Sequence, residues 1–373
     1  MTRNRILLAV VAVLCLVALG SFFFTGRAPQ AVPQAAPVFI IDDAGFAAST
    51  KRYHAIPLND PKLEFDISLP TDWTVERVAK SPTATANERI PEDVARFKSP
   101  MMGTQQASVT VQYLRLERGM TAENWLKEHA ALNGYALEGP VSAKNETGAE
   151  ISFLSVADGK TFHTRMAVRL NSNAVMLARF DMPAALKESL SFLQKKSIDS
   201  FRLTVPSDDP AEPQKSFTLA DALKFYHPQS WTVNYPDLRT TDSMSVQLHN
   251  EDAAKKLNGL IRFAAVRRHR ETSLSKEIER MKKYFDEDLG IVFKKMSSFG
   301  DAPNTGRFAF ARQEIYRVSS KKQALSDQEL RIVILGDEKW YVFVFLLTPS
   351  ERESLPLWAV NTFAFDNILK SIR

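Results

Sequence analysis

Apolar and polar residues alternate strictly over residues 107–116, the two-residue period of a strand with one buried face. The period then changes. Thr121 stands where a helix cap belongs, and a helix running to about residue 132 carries Trp125, His129 and Leu132 on one face. Three β segments are predicted at residues 136–142, 149–156 and 162–170. A turn at Asn171-Ser172-Asn173 leads to a last strand at 174–181. Pro183 opens a second helix, in which Leu186, Leu190 and Leu193 recur at i, i+4, i+7, and which ends near Ser200-Phe201-Arg202. The polar stretch between Trp73 and Pro100, with Pro82 and Pro91 inside it, reads as a long loop.

The same order returns in the second half. Strands are predicted at residues 223–227, 243–248 and 260–266. Ser273 caps a helix with Leu274, Ile278, Met281 and Phe285 on one face. Strands follow at 291–297 and 307–318, and Gly336-Asp337-Glu338 joins 329–335 to 339–348 as a hairpin. Residues 340–347 are apolar on both faces, as a central strand covered on both sides should be. Pro349-Ser350 opens the final helix, with Trp358, Phe365, Leu369 and Ile372 on its inner stripe. The chain closes on Ser371-Ile372-Arg373, an echo of Ser200-Phe201-Arg202.

One short stretch occurs at the head of both halves: an alternating strand, then Pro70-x-x-Trp73 in the first and Pro228-x-x-Trp231 in the second. Because both copies keep the tryptophan, it is assigned to packing beneath the turn rather than to ligand stacking. Strands joined by tight turns must pair antiparallel, and two helices per copy can cover opposite faces of the sheet. The predicted fold class is therefore α+β: two tandem α/β/α sandwich domains behind an N-terminal transmembrane helix. The boundaries are 1–24 for a membrane anchor or signal, 25–57 for a Pro/Ala-rich tether with an edge strand near 38–41, 58–205 for the first domain, 206–216 for a linker and 217–373 for the second. A chain of 373 residues suits two domains, and each copy is expected to fold alone. Asp42-Asp43, ahead of the first copy, reads as a solvated turn.

Arg3 and Arg5 precede an uncharged run from Ile6 to Phe24. About 20 apolar residues span a ~30 Å hydrocarbon core, and basic residues before the span keep the N-terminus in the cytoplasm. The expected location is the bacterial inner membrane, single-pass, with the bulk in the periplasm. The alternative is a cleaved signal, with Ala18-Leu19-Gly20 before Ser21 as the site. The lone cysteine, Cys15, lies within the run, so neither domain can hold a disulfide, a thiol nucleophile or a Cys-ligated metal.

A net charge of +5 is too mild and too dispersed for a nucleic-acid module. The densest basic stretch runs from Arg262 through Arg267, Arg268, His269 and Arg270 to Lys276, Arg280, Lys282 and Lys283. The first copy has only Arg115, Glu117 and Arg118 at that place. Arg267, Arg268, Arg270, Lys282 and Lys283 are therefore the candidate contacts for an acidic partner or an anionic lipid surface, forming an exposed positive face. His227 sits in the second turn where the first copy has Leu69, and reads as a partly buried turn histidine. No nucleophile elbow, phosphate-cradling loop or His-Glu-x-x-His occurs, so no catalytic, cofactor or metal residue is assigned.

The paired Pro-x-x-Trp openings, the Trp340-Tyr341 late strand and the Ser-Phe/Ile-Arg endings resemble the PsbP and DcrB group of α/β/α domains, over residues 63–203 and 217–373. The resemblance implies non-catalytic interaction proteins. The expected function is a membrane-anchored envelope protein that binds other envelope proteins. A lipid- or small-ligand-binding protein is the alternative, which an apolar pocket between sheet and helix or between the copies would favour. An enzyme of unknown class is the third reading.

Overall fold

The computed structural model describes residues 40–76, 78, 90–219, 223–235, 242–269, 273–287, 290–301, 308–320 and 327–373. The apolar run at residues 6–24 and Arg270 lie outside them. No helix among the described residues is long and apolar enough to cross a membrane. Residues 40–373 form one compact unit.

The first half holds α1 (Asp43–Ser49), β1 (Thr50–Ala55), β2 (Phe65–Pro70), β3 (Thr74–Glu76), β4 (Glu92–Lys98), β5 (Ser108–Arg115), α2 (Ala122–Leu132), β6 (Ala136–Leu137), β7 (Ser142–Asn145), β8 (Gly148–Ala157), β9 (Lys160–Asn171), β10 (Ala174–Pro183), α3 (Lys187–Asp199) and β11 (Arg202–Leu203). The second holds β12 (Gln214–Leu219), β13 (Leu223–Pro228), β14 (Trp231–Asn234), β15 (Ser243–Glu251), β16 (Leu257–Arg267), α4 (Leu274–Glu287), β17 (Ile291–Asp301), β18 (Phe310–Ser320), β19 (Gln328–Gly336), β20 (Trp340–Pro349) and α5 (Leu355–Lys370). The chain is α+β with antiparallel sheets. One large sheet runs β3-β4-β5-β10-β9-β8-β6, with β7 also on β8; the other runs β14-β15-β16-β20-β19-β18-β17. Position for position the orders are the same. The registers align them further: Ala174 opens β10 opposite Arg115, and Trp340 opens β20 opposite Arg267.

Strand alternation gives each sheet two apolar faces. On the inner face of the first, Val109, Val111 and Phe180 meet Leu190, Leu193 and Ile198 of α3. On the inner face of the second, Phe263, Val344 and Leu346 meet Phe365, Ile368 and Leu369 of α5. The outer faces take α2, through Trp125 and Leu126, and α4, through Met281 and Phe285. Thr121 caps α2 by accepting from the Asn124 N–H at 3.3 Å, and Ser273 caps α4 through the Lys276 N–H at 3.2 Å.

The repeated endings do the same job twice. Ser200 Oγ accepts the Ser68 N–H at 2.8 Å, and Ser371 Oγ accepts the Tyr226 N–H at 2.9 Å. Each hydroxyl ties the end of an inner helix to the strand before the Pro-x-x-Trp turn. Those strands pair with Thr50–Ala55, which lies in the predicted tether, and with Gln214–Leu219, which begins in the predicted linker and runs into the second domain.

Residues between the halves are held rather than loose. Asn171, buried at the end of β9, donates from Nδ2 to the carbonyls of Lys62 and Val205 and accepts the Ser207 N–H on Oδ1 at 2.7 Å. The larger tie is α5 itself. Its inner stripe covers its own sheet, while Ala359 and Val360 are buried in the outer core of the first half and Trp358 packs against that core. A helix that is apolar on more than one face is one that is covered on more than one face. Behind it runs a buried polar chain. Arg118 Nη1 donates to Asn250 Oδ1 at 2.6 Å, and Asn250 Nδ2 to Asn361 Oδ1 at 2.7 Å. Asn361 Nδ2 in turn donates to Thr348 Oγ1 and to the Asn258 carbonyl, both at 2.9 Å.

Several expectations are corrected. The stretch after Trp73 contains a strand, β4, whose alternation is short and whose buried apolar anchor is Phe97. Ile40 and Ile41 are not in an edge strand; Ile40 enters the first core and Asp42 caps α1 through the Gly45 N–H at 2.7 Å. Leu132 is 72% exposed, because α2 ends with Asn133 as its cap and turns away from the sheet there. The final helix starts at Leu355. Ser350 instead makes a turn, its hydroxyl accepting the Glu353 N–H and its carbonyl the Ser354 N–H. Trp358 packs on the outer core of the first half rather than on the inner stripe, while its indole N–H donates to Glu329 of its own half at 3.1 Å.

Candidate functional site

The repeated aromatic residues are packing. Pro70 and Pro228 end buried strands, and the tryptophans after them are buried, Trp231 to 1% exposure. Trp73 meets Phe180 edge-on with centroids 5.4 Å apart, and the Tyr53 hydroxyl donates to its carbonyl. His227 is buried rather than half-exposed. Burial pushes its pKa below the ordinary imidazole value, opposed by its ring N–H bond to the Pro228 carbonyl.

The basic stretch is divided by the strand it sits on. Arg267 and Arg268 are successive, so they leave opposite faces of β16. The Arg267 guanidinium lies 5.4 Å from the ring of Trp340, an inner-face residue. Arg268 lies over Tyr341, an outer-face residue, and donates to the Asp337 carbonyl. Lys282 and Lys283 are exposed on α4. That helix also carries acids, and two of its cations are paired: Arg280 with Glu277 at 3.0 Å and Lys283 with Glu287 at 3.6 Å. Of the described candidates, Arg267 therefore lies on the face opposite to the one that Arg268 shares with α4.

What the structure brings together instead is a groove of about 360 Å³ between α4 and the outer face of β15, β16 and β20. Ala264, Val266, Met281, Phe343 and Phe345 give it apolar walls. Ser243 and Ser245 come from β15, Arg262 from β16, and Glu277, Arg280, Lys283, Tyr284 and Glu287 from α4. Arg262 stacks on Tyr284 with its guanidinium carbon 3.9 Å from the ring centroid. Its Nε is buried without a hydrogen-bond partner, and so is the hydroxyl of Ser245, which is 5% exposed.

The equivalent place in the first sheet is built differently. By register, Thr110 and Arg179 stand where Arg262 and Phe345 stand, and Gln112 where Ala264 stands. These polar groups are satisfied internally. Gln112 donates to Asp93 at 2.8 Å, and Arg179 pairs with Asp181 at 2.9 Å. A hollow of about 300 Å³ beside α2 lies further along β5, lined by Leu114, Arg118, Trp125 and His129 with Pro356 and Val360 of α5. At the place of the groove the first half thus carries Gln112 and Arg179 with partners, where the second half carries Arg262 Nε and Ser245 Oγ without them.

A second cleft, of about 480 Å³, lies between the halves and is lined by Glu146, Asp208, Asp209 and Glu212 beside Phe363 and Val360. Two of those acids already pair with lysines, Glu146 with Lys370 and Asp209 with Lys62. Among the described residues no group of three or more His, Cys, Asp or Glu is placed to hold a metal ion.

The sequence marked Arg262 only as the start of a basic run. Its position in the groove depends on which strand face α4 covers, which no local pattern states. The one available signal was the contrast of Arg262 with Thr110, legible once the copies are aligned.

No protein-family model matches the sequence, and no curated protein matches it. Among solved structures the chain is similar to cyanobacterial PsbP (CyanoP) of Synechocystis, at 11% identity and a TM-score of 0.31, over 47% of this chain and 99% of that one. It is similar to LpqN of Mycobacterium tuberculosis, a protein involved in cell envelope biogenesis, at 12% identity and a TM-score of 0.29, over 46% of this chain and 100% of that one. It is also similar to the immunity protein TplEi of Pseudomonas aeruginosa, at 11% identity and a TM-score of 0.21, over 83% of this chain and 94% of that one.

Proposed function

We propose that the chain is a non-enzymatic envelope protein, tethered to the bacterial inner membrane through residues 6–24, with two exported PsbP/DcrB-like domains in tandem that bind through the outer face of the second. The observation that carries this reading is the open groove beneath α4. Apolar walls with a few convergent polar groups are the make-up of small-molecule sites, and about 360 Å³ falls within their usual ~300–1,000 Å³. Of the two binding readings, the groove favours a small amphipathic ligand over a protein partner. Unpartnered buried polar atoms cost free energy in the empty protein, so a ligand that meets them is selected.

The test uses the scarcity of cysteine. In a Cys15→Ser background, Ser243→Cys places a single thiol in the groove. A maleimide should label it slowly in protein taken directly from its membranes and faster after organic extraction of the bound molecule. Equal rates before and after extraction contradict a resident ligand.

A protein partner is the second reading, favoured by Lys282, which is exposed and has no acid within ion-pair distance among the described residues. Together with Arg268 it leaves cationic surface beside the groove for an acidic protein or anionic lipid.

A further inference from the structure

We propose that the groove takes a single-chain amphiphile with an anionic oxyacid head, and that Arg262 and Ser245 are the residues that hold the head. This rests on the groove being a binding site and adds the charge and shape of what enters it.

Arg262 is the first of two marks in the groove. A guanidinium has five N–H donors in a planar fork and does not give up its proton. Here it lies on the outer face of β16, its guanidinium carbon 3.9 Å from the centroid of the Tyr284 ring, with Phe345 opposite it in the ladder. Its Nε is buried and donates to nothing. The acids nearby on α4 are engaged elsewhere: Glu277 takes two bonds from Arg280 at 3.0 and 3.1 Å, and Glu287 lies 3.6 Å from Lys283. Among the described residues no carboxylate lies within ion-pair distance of Arg262. A cation drawn into a half-apolar site without its own counter-ion is costly, and the cost is removed when an anion arrives.

Ser245 adds a second, independent mark. It pairs with Ala264 across the β15–β16 ladder, which makes it the diagonal neighbour of Arg262 on the same face. Its hydroxyl is buried and has no partner. One fork and one hydroxyl on the same face of neighbouring strands suit a carboxylate or a phosphate, which accept several such bonds at once. Beyond these two the lining turns apolar through Ala264, Val266, Met281 and Phe343. The head is therefore at the β15–β16 floor and the chain runs along α4. The rim charges, Arg280 and Lys283 with Glu277 and Glu287, balance one another, so the unbalanced charge of the groove is that of Arg262.

The first half supports the assignment by its contrast. Thr110 at the place of Arg262 brings no charge, and Arg179 opposite it has its own acid in Asp181. At these equivalent positions the unmet charge belongs to the second half.

The test is calorimetric titration of the intact protein in nanodiscs with octanoate, octyl phosphate and uncharged octanol, each corrected against empty nanodiscs. At least one anion should bind saturably with one site per chain and at least tenfold more tightly than octanol. Whichever anion is preferred distinguishes a carboxylate head from a phosphate head. Arg262→Gln should abolish that preference while melting no lower than wild type, because it removes an unpaired charge. Arg262→Lys should keep part of the preference, and Ser245→Ala should reduce it; these two variants read the same property if Arg262→Gln does not fold. Anions and octanol binding equally to wild type would overturn the anionic head while leaving the groove as a site. An unchanged preference in Arg262→Gln or, failing that, in both other variants would overturn the role of Arg262. Absence of saturable binding by all three probes would overturn the groove as a site as well.

Discussion

A Cβ placed on Gly119 would lie 2.4 Å from Cε1 of Phe363, a residue of the last helix. Gly119 belongs to the loop after β5 in the first half, and Phe363 to α5 in the second. The glycine is there because the partner half comes that close. Gly119→Ala should overpack the contact and destabilise the whole chain by about 1–3 kcal/mol. In a Phe363→Leu background the same substitution should cost much less. Denaturant midpoints of the four proteins in this cycle check the coupling; additive losses would show that the two residues do not oppose one another.

The buried amide chain makes the same junction polar. Asn361→Leu keeps the volume but leaves Asn250, Thr348 and the Asn258 carbonyl each short of a partner. A group left unpaired in the interior costs about 1–3 kcal/mol. The expected outcome is a large loss in midpoint with one cooperative transition retained. Because Val360 and Ala359 complete the first core, residues 40–205 expressed without the second half should bind a hydrophobic dye and melt below the intact chain, contrary to independent folding of each copy.

Trp231→Ala removes a ring that is 1% exposed and should cost about 3–5 kcal/mol by chemical denaturation. An unchanged midpoint would remove the turn from the list of shared packing devices.

Acid should weaken the fold through its histidines. His129 stacks on Trp125 at 4.7 Å, and its pKa is lowered to about 4 by burial first and by the Arg179 charge second. In the unfolded chain it titrates near 6.5. Its neutral form therefore costs no stability above that value. As pH falls from about 6.5 toward 4, the unfolded state takes up a proton that the folded state refuses, and stability declines. His227 acts in the same direction. Urea midpoints at pH 7 and pH 5 should differ less in His129→Gln than in wild type.

Much of the fold was legible because its elements carry their own period. The strict alternation at residues 107–116 became β5, and the two-sided apolar run at 340–347 became the core of β20, central in its sheet. β4 was not legible, since Phe97 alone among its residues is fully buried and prolines flank it. The second role of α5 was hidden for a different reason. Trp358 looks like a member of the stripe of Phe365 and Leu369 until a second sheet is placed against it. The candidate site was half legible. Charge pointed to the strand and the helix that line the proposed groove, but alternation sent Arg267 to the far face and left Arg262 beneath α4. The hydroxyl of Ser245, surrounded by ordinary strand sequence, gave no signal at all.

The charged surface beside the groove has its own test. A variant with Arg268, Lys282 and Lys283 changed to Glu should fold normally, since all three are exposed. If an acidic partner or anionic membrane uses this surface, association should fall in the variant and, in wild type, with added salt, because screening acts over ~8 Å at physiological ionic strength. Co-purification and vesicle sedimentation at low and high salt check it.

The most direct measurement is mass spectrometry of what the protein carries. The intact chain is purified from its own membranes alongside Ala264→Leu, whose added carbons project into the groove from the β16 floor. Extracts of the two are compared after subtraction of bulk membrane lipid. The groove account predicts one small amphiphile near one per chain in wild type and strongly depleted in Ala264→Leu, with equal melting midpoints. The same amphiphile at equal stoichiometry in both proteins, or none in either, would contradict it.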